Sequence, residues 1–539
     1  MERGPKVYQG HIVDVIDRRI FDGCIEVGGG AITSVRECGE VRADAPFILP
    51  GFIDSHFHIE SSMLTPTEFA RVAAPHGTIG VVSDPHEIAN VLGISGIDYM
   101  LEDASRSNFN FCFGAPSCVP SCGSDIESGG AVLSSKDVDE LLQRPQIAFL
   151  SEMMNFPGVL SEDSEVMAKI ASARRAGKPV DGHAPGLLGK DRADYAGKGI
   201  STDHECTTYE EGLSCIENGM NVLVREGSAA KNYEAIIPLI SLRPDKVMFC
   251  TDDCHPDDLL SGHINGLVKR AIGDGYDLWD VLRSACLNPQ LHYNLNWGLL
   301  REGDPATFIM VDSLTPDMKV LATFFRGENF RIGDVGRGEN FPNNFEAEAI
   351  CVEDIEREGG DGPVPVIIAR DGQLYTSLEF ASRDDSSYPW EEVQKIVVLN
   401  RYRKGAQPSV GYIRGFNVRN GAMAASIAHD CHNIVAIGSS DSRIVRVINQ
   451  VVSMHGGIAA LQGEGRMNCL NLPIAGIMSP LEGKQVVEIY LELLDTIKEA
   501  GCTFRAPFLT MSFMCLPVIP QVKITDKGIF IPPSSFLQI

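Results

Sequence analysis

PGFIDSHFHIESSM, residues 50–63, sets two histidines one residue apart at the end of an apolar run and follows them with an acid and two serines. Successive side chains on a β-strand point to opposite faces. On a strand, His56 and His58 therefore project together and Phe57 turns away. Two imidazoles side by side at a strand end can grip one metal ion. The bland alternative is a pair of surface histidines on an edge strand. What the rest of the chain brings to the same place decides between them.

Working outward, seven more β-rich runs recur, with helical periodicity in the stretches between them. They are GTIGVVSD (77–84), FNFCFGAP (109–116), QIAFLSE (146–152), KPVDGH (178–183), GISTDH (199–204), MNVLVRE (220–226) and KVMFCTD (246–252). Segments such as SEVMAKIASARRAG and TYEEGLSCIENG place apolar residues at helical spacing and stop at glycine. Eight repeats of strand then helix predict a (β/α)8 TIM-type barrel, an α/β fold whose chemistry lies at the C-terminal ends of its strands. Those ends carry His56 and His58 on the first strand, Glu152 on the fourth, His183 on the fifth, His204 on the sixth and Asp252 on the eighth.

Four imidazoles and two carboxylates at one mouth form a ligand set for two divalent cations, with a carboxylate able to bridge them. Mixed nitrogen and oxygen ligands without thiolate suit Mn, Fe or Zn. Cations so placed lower the pKa of a bridging water to about 7, so hydroxide is available at neutral pH. Asp252 sits where it can take that proton and deliver it to a leaving group. Its neighbour Asp253 competes for the ligand position. Alternation sends the two in opposite directions, and the apolar run before them does not choose.

Residues 7–38 read as short strands. Gly28–Gly30 is expected as a hairpin turn rather than a phosphate loop, because a strand (AITSV) follows it and no helix does. β-Rich runs return after the barrel. Residues 1–50 and 298–352 are thus expected as two halves of a small flanking β-sandwich domain, around a barrel at 51–297. The acidic, glycine-rich stretch 353–370 reads as a linker or turn. Residues 353–539 are expected as a C-terminal α/β domain, with strands in KIVVLN and NIVAIGS and helices in DSRIVRVINQVVSMHG and GKQVVEIYLELLDTIKEAG.

A chain of 539 residues, 44 % hydrophobic and 22 % charged, suits two or three globular domains. Its net charge of −26 opposes non-specific attraction to nucleic acid or anionic membrane. Neither a secretory h-region nor a bilayer-length apolar run is read in it. Fifteen scattered cysteines predict reduced thiols and a cytoplasmic location. Cys118/Cys122 and Cys250/Cys254 are spaced like metal clips but lack a matching second pair. The expected partners are a small-molecule substrate and further copies of the chain in a homo-oligomer.

The motifs PGFIDSHFHIESSM, VVSDPHEIANVLG, SEMMNFPGVL, DGHAPGL, STDHECTTYEEG and FCTDDCHPDDL resemble the amidohydrolase superfamily, and within it the bacterial adenine deaminase family. GFNVRNGAMAASIAHDCHNIVAIG, LPIAGIMS and APFLTMSFMCLPVIPQVKITDKGIF resemble that family's C-terminal region, so the likeness covers essentially the whole chain. It implies hydrolysis of adenine to hypoxanthine and ammonia at a binuclear Mn or Fe centre. It also implies that Glu152 stands where many relatives carry a carboxylated lysine.

On the same resemblance, Asp84 and Glu87 of SDPHE are assigned catalytic or purine contacts, with His86 beside them at the mouth. Glu60 and Ser61 are candidate substrate contacts that, like Ser62, equally suit a helix cap. Arg225 and Glu226 suit either a purine edge or an internal ion pair. His429, Asp430 and His432 are expected as a structural cluster or a contact closing over the barrel mouth rather than a third metal site. Two rival readings remain. One keeps the scaffold for another 6-substituted purine such as N6-methyladenine, or for a cyclic amide. The other is a metal-free barrel kept as a binding module, which predicts gaps among the ligands.

Overall fold

A computed structural model describes residues 5–39, 41–332, 340–356, 362–382, 385–519 and 521–531, with the backbone of 535–536. At its centre lie eight parallel strands: β1 (Phe52–Phe57), β2 (Thr78–Ser83), β3 (Asn110–Ala115), β4 (Ile147–Met153), β5 (Val180–Gly182), β6 (Thr202–Asp203), β7 (Asn221–Arg225) and β8 (Val247–Cys250). β1 to β5 pair in chain order in one ladder and β6 to β8 in another. Parallel bridges Val180–Ile200 and Phe57–Asp252 join the two seams, and the ring closes as a (β/α)8 barrel.

Strand alternation explains why the strands are apolar on both faces. Val82, Leu223, Met248 and Cys250 point into the barrel with Cys112 and Phe149. Their neighbours Val81, Val222, Val224, Val247 and Phe249 face the surrounding helices. Tyr293 joins the interior layer, with Leu295 and Trp297 against it. Between β4 and β5 the helix Ser164–Arg175 shows the local logic. Asp163 caps its first amides, Arg174 and Arg175 sit at its C-terminal end, and Val166, Ile170 and Ala173 are buried.

The chain before and after the barrel shares one sheet of seven strands, in the order Glu328–Asn329, Val320–Phe325, Phe308–Val311, Phe47–Leu49, Lys6–Asp14, Arg19–Gly28, Ala31–Glu37. Phe47–Leu49 stitches its halves, parallel to Lys6–Asp14 and antiparallel to Phe308–Val311. Gly29 and Gly30 turn the last hairpin with φ of +61° and +84°, a backbone that L side chains rarely adopt. Ile12, Ile25, Val27, Ile48, Phe308 and Phe324 form the core of this flanking β domain.

The C-terminal α/β domain carries an eight-stranded sheet. Again alternation divides its strands. Val397, Ala422, Ala424, Ala436 and Leu461 pack against the helix Asp441–Ser453. Ile396, Met423, Ala425, Val435 and Ile437 belong to the same continuous core as the barrel. Residues 346 and 347 donate their amides to the Arg401 carbonyl and Ile350 pairs with Asn449, so this stretch runs along the C-terminal sheet. Of the acidic linker, residues 357–361 lie outside the described residues. Among the described residues, no helix is long and apolar enough to cross a membrane.

Candidate metal centre

Phe57, the last residue of β1, is buried in the helix layer with its ring 4.7 Å from that of Phe69. His56 and His58, on the other face, enter the barrel mouth with ring centroids 4.9 Å apart. His204, just past β6, stacks on His56 at 3.9 Å. Glu152 reaches the middle from β4. Its Oε1 lies 3.2 Å from His58 Nε2 and 3.8 Å from His56 Nε2. Its Oε2 lies 2.7 Å from His183 Nδ1 and 3.3 Å from His204 Nε2. Asp252 faces it, with Oδ1 3.5 Å from His56 Nε2 and 3.2 Å from His58 Nε2. None of these six side chains belongs to a residue more than 5 % exposed.

Asp252 corrects one step of the alternation argument. β8 ends at Cys250, and Asp252 has a left-handed φ of +54°. The strand rule no longer applies there, so Asp252 and Asp253 both line the cleft. Asp252 turns to the imidazoles and to Arg225, whereas Asp253 accepts a hydrogen bond from Ser61 Oγ at 2.5 Å.

Burial opposes charge on His58, His183 and Glu152, and their ion pairs override it. His58 is raised well above the ordinary imidazole range by Asp252 and Glu152. Burial likewise works against the His183 imidazolium, but Glu205 and Glu152 push its pKa up to about 9. Burial would raise Glu152, yet His183, His204 and His58 hold it well below the usual carboxylate range. Buried carboxylates thus demand positive charge, which protons on imidazoles supply and a divalent cation can replace.

The donor set fits such an ion. His56 Nε2 and His183 Nε2 are buried without a hydrogen-bond partner. The sets His56/Glu152/His204, His56/His58/Asp252, His183/His204/Glu205 and His58/Asp84/His86/Glu152 each bring their donor atoms within 4.8 Å of one another. Imidazole and carboxylate donors at this density make a divalent metal site.

Behind this cluster stands a second layer. Asp84 Oδ2 lies 3.0 Å from His86 Nδ1, while His86 Nε2 lies 3.5 Å from Asp430 Oδ1 of the C-terminal domain. Of the SDPHE motif, His86 lines the cleft; Asp84 and Glu87 sit behind it. Glu87 Oε1 lies 2.6 Å from Ser61 Oγ, whose single proton is shared between Glu87 and Asp253. Glu60 accepts from the Ile88 amide in the helix His86–Leu92, so it caps that helix from another segment. Burial and the adjacent Glu87 push its carboxyl up to about 8. Ser62 Oγ is spent on the Ile59 carbonyl.

Arg225 is paired internally, to Asp252 Oδ2 at 2.7 Å and to Glu205. For Glu226 the structure shows the second of the two alternatives, the internal ion pair. It faces away from the cleft, into ion pairs with Lys231 at 3.1 Å and Arg270 at 3.4 Å.

Two groups escaped the sequence reading. Glu205 lies 3.4 Å from His204 Nε2, and its position directly after a strand-end histidine was a usable signal. Of the C-terminal trio expected as a structural cluster or a contact over the mouth, His429 and Asp430 line the cleft, while His432 is fully buried 3.9 Å from Glu87. The other group that escaped is an apolar wall of Leu374, Phe513, Leu516 and Ile519, which with Met154 completes the lining of the cleft. No motif announced it.

A sequence profile described as the amidohydrolase family matches residues 47–330, and one described as the adenine deaminase C-terminal domain matches residues 374–531. Three full-length relatives carry the name adenine deaminase. That of Sulfurovum sp. (strain NBC37-1) is 47 % identical, covering 97 % of each chain. That of Salinibacter ruber is 46 % identical, covering 97 % of this chain and 96 % of its own. That of Methanosarcina mazei is 46 % identical, covering 97 % of both.

Proposed function

Because this chain belongs to the amidohydrolase family and aligns with adenine deaminases over nearly its whole length, we propose that it hydrolyses adenine to hypoxanthine and ammonia. The chain is a hydrolytic deaminase of a small purine. Water adds its oxygen at C6; one of its protons ends on a ring nitrogen and the other leaves with the amine. The observation that carries this reading is the meeting of imidazoles and carboxylates from six strand-end positions in one buried cleft.

In this reading His56, His58, Glu152, His183, His204 and Asp252 would hold two divalent cations, Mn or Fe in preference to Zn. Divalent cations bound there would supply a water of lowered pKa as nucleophile. The chain's own groups handle the protons. Asp252 carries one between the water and the departing amine. Asp84 and Asp430 hold His86 between two carboxylates, facing the base. Glu87, through Ser61, holds Asp253 at the cleft. Arg225 keeps Asp252 and Glu205 apart from each other's charge.

The C-terminal domain roofs the cleft and excludes bulk water. We place the enzyme in a reducing cytoplasm, on fifteen cysteines that are all free thiols, and expect a homo-oligomer.

Ammonia and hypoxanthine release from adenine tests the reading, with N6-methyladenine as comparator. Adenine should be turned over and N6-methyladenine should release little methylamine; the reverse preference would hand the site to the other purine. Elemental analysis of protein grown with manganese should find about two metals per chain, and fewer in His56→Ala or Glu152→Ala. Full metal content in both variants would refute this ligand set.

A further inference from the structure

The apolar wall of the cleft is assembled from chain segments that lie far apart in sequence. Leu374 precedes the strand Ser377–Ala381, Phe513 ends the helix Pro507–Phe513, and Leu516 and Ile519 follow in the next turn. One side chain ties the two segments together from behind. Lys523, on the strand Lys523–Thr525, is 0 % exposed, and its Nζ donates to the Leu374 carbonyl at 2.7 Å and to the Phe513 carbonyl at 2.9 Å. The residues on either side of it add further ties. Val522 exchanges two hydrogen bonds with Thr376 Oγ1, and the Ile524 amide donates to the Met514 carbonyl at 2.9 Å. His429, which lines the cleft, stacks on Phe513 with ring centroids 4.6 Å apart and planes 8° from parallel. Whatever sets Phe513 therefore also sets His429.

A buried amine is a costly way to join two carbonyls. Taking an ammonium out of water costs several kcal/mol unless a counter-charge meets it, and burial pushes the pKa of Lys523 down to about 7. Among the described residues no carboxylate is within ion-pair distance of it. Two neutral carbonyls receive the amine whether or not it carries its proton, since both forms keep N–H donors. An apolar side chain of the same length would fill the space, but it would strip the Leu374 carbonyl of its donor, leave the Phe513 carbonyl only the Leu516 amide at 3.3 Å, and free the two wall segments to separate.

We propose that Lys523 is a positioning residue: its amine locks Leu374 and Phe513 into one apolar surface against which the substrate base is held, so it governs affinity for the base without touching it. The identity of that base rests on the adenine reading. Lys523 hydrogen-bonds to the wall's carbonyls and to none of the six proposed ligands, which separates this role from cation binding.

The test uses the full-length, metal-loaded enzyme. Lys523→Met should raise KM for adenine about tenfold and change kcat less than twofold, with metal content unaltered. Lys523→Arg, which keeps the donors, should recover at least half of the KM change on a logarithmic scale. Phe513→Ala should raise KM comparably, and adding Lys523→Met to it should raise KM little further, because the wall has already been lost. Should Lys523→Met not yield folded protein, Lys523→Gln carries the same prediction with a KM rise of about threefold. A folded variant whose Tm falls while KM stays at the wild-type value overturns the proposal and leaves Lys523 a structural tie. Wild-type enzyme that releases no ammonia from adenine overturns instead the adenine reading, and with it the base assigned here.

Discussion

At Asp252 a φ of +54° turns the carboxylate toward His56 and His58 just where the strand stops, and a conservative substitution isolates what that carboxylate does. Asp252→Asn keeps the shape and one oxygen. It should retain much of the bound metal and lose about 10²–10⁴-fold in kcat, the usual worth of a positioned proton carrier; near-normal ammonia release would reject that role. Glu127 supplies a pH-dependent test away from the ligands. It is fully buried, accepts from Ser121 Oγ at 2.8 Å and the Cys122 amide at 3.1 Å, and is pushed up to about 8 by burial and by Asp430. Below its unfolded pKa of 4.5 both states hold the proton. From there to about 8 only the folded state does, so this residue's contribution to stability falls as pH rises. Glu127→Gln cannot ionise. Its stability relative to wild type should climb between pH 5 and pH 8 by up to about 1.4 kcal/mol per unit and then level off. Denaturant midpoints that differ by a constant amount across that range would sink the assignment.

Elements decide how such residues are delivered. β2 admits Gly80 and no larger residue, because a Cβ there would stand 2.2 Å from the Trp297 ring. Gly80→Ala should cost about 1–3 kcal/mol by overpacking. Because Gly80 sits near the start of its strand, away from the catalytic end, kcat/KM of the folded fraction should hold. The turn after β6 depends on a buried ion pair instead. Arg192 Nη1 meets Asp203 Oδ2 at 2.5 Å, both fully buried, and Asp203 Oδ1 holds the Glu205 amide. Arg192→Met strands that carboxylate and should destabilise by about 3–5 kcal/mol, measured by urea unfolding. A loss below 1 kcal/mol would mean that the turn repacks around the uncharged partner.

Over the whole molecule one apolar core runs from the barrel helices into one face of the C-terminal sheet. Barrel and C-terminal domain should therefore melt in a single calorimetric transition; two resolved transitions would show that they are stable apart. The positions of His56, His58, Glu152, His183, His204 and Asp252 were legible in the sequence because each stands at or just past the end of a short apolar run, and such a run is a local property. For Glu226 the sequence left a purine edge and an ion pair both open, because a strand's two faces look alike until the sheet's curvature tells inside from outside. Lys523 and the Leu374–Phe513 wall were invisible because their partners lie 149 and 10 residues away and meet only through loops. The sequence by itself determined the barrel, the flanking β domain, the α/β C-terminal region and the kind of chemistry, since alternation and helical spacing are written residue by residue. Only the tertiary structure decided that the C-terminal domain roofs the cleft with His429, Asp430 and Phe513. That surface arises from packing between distant segments, and no short-range pattern encodes it.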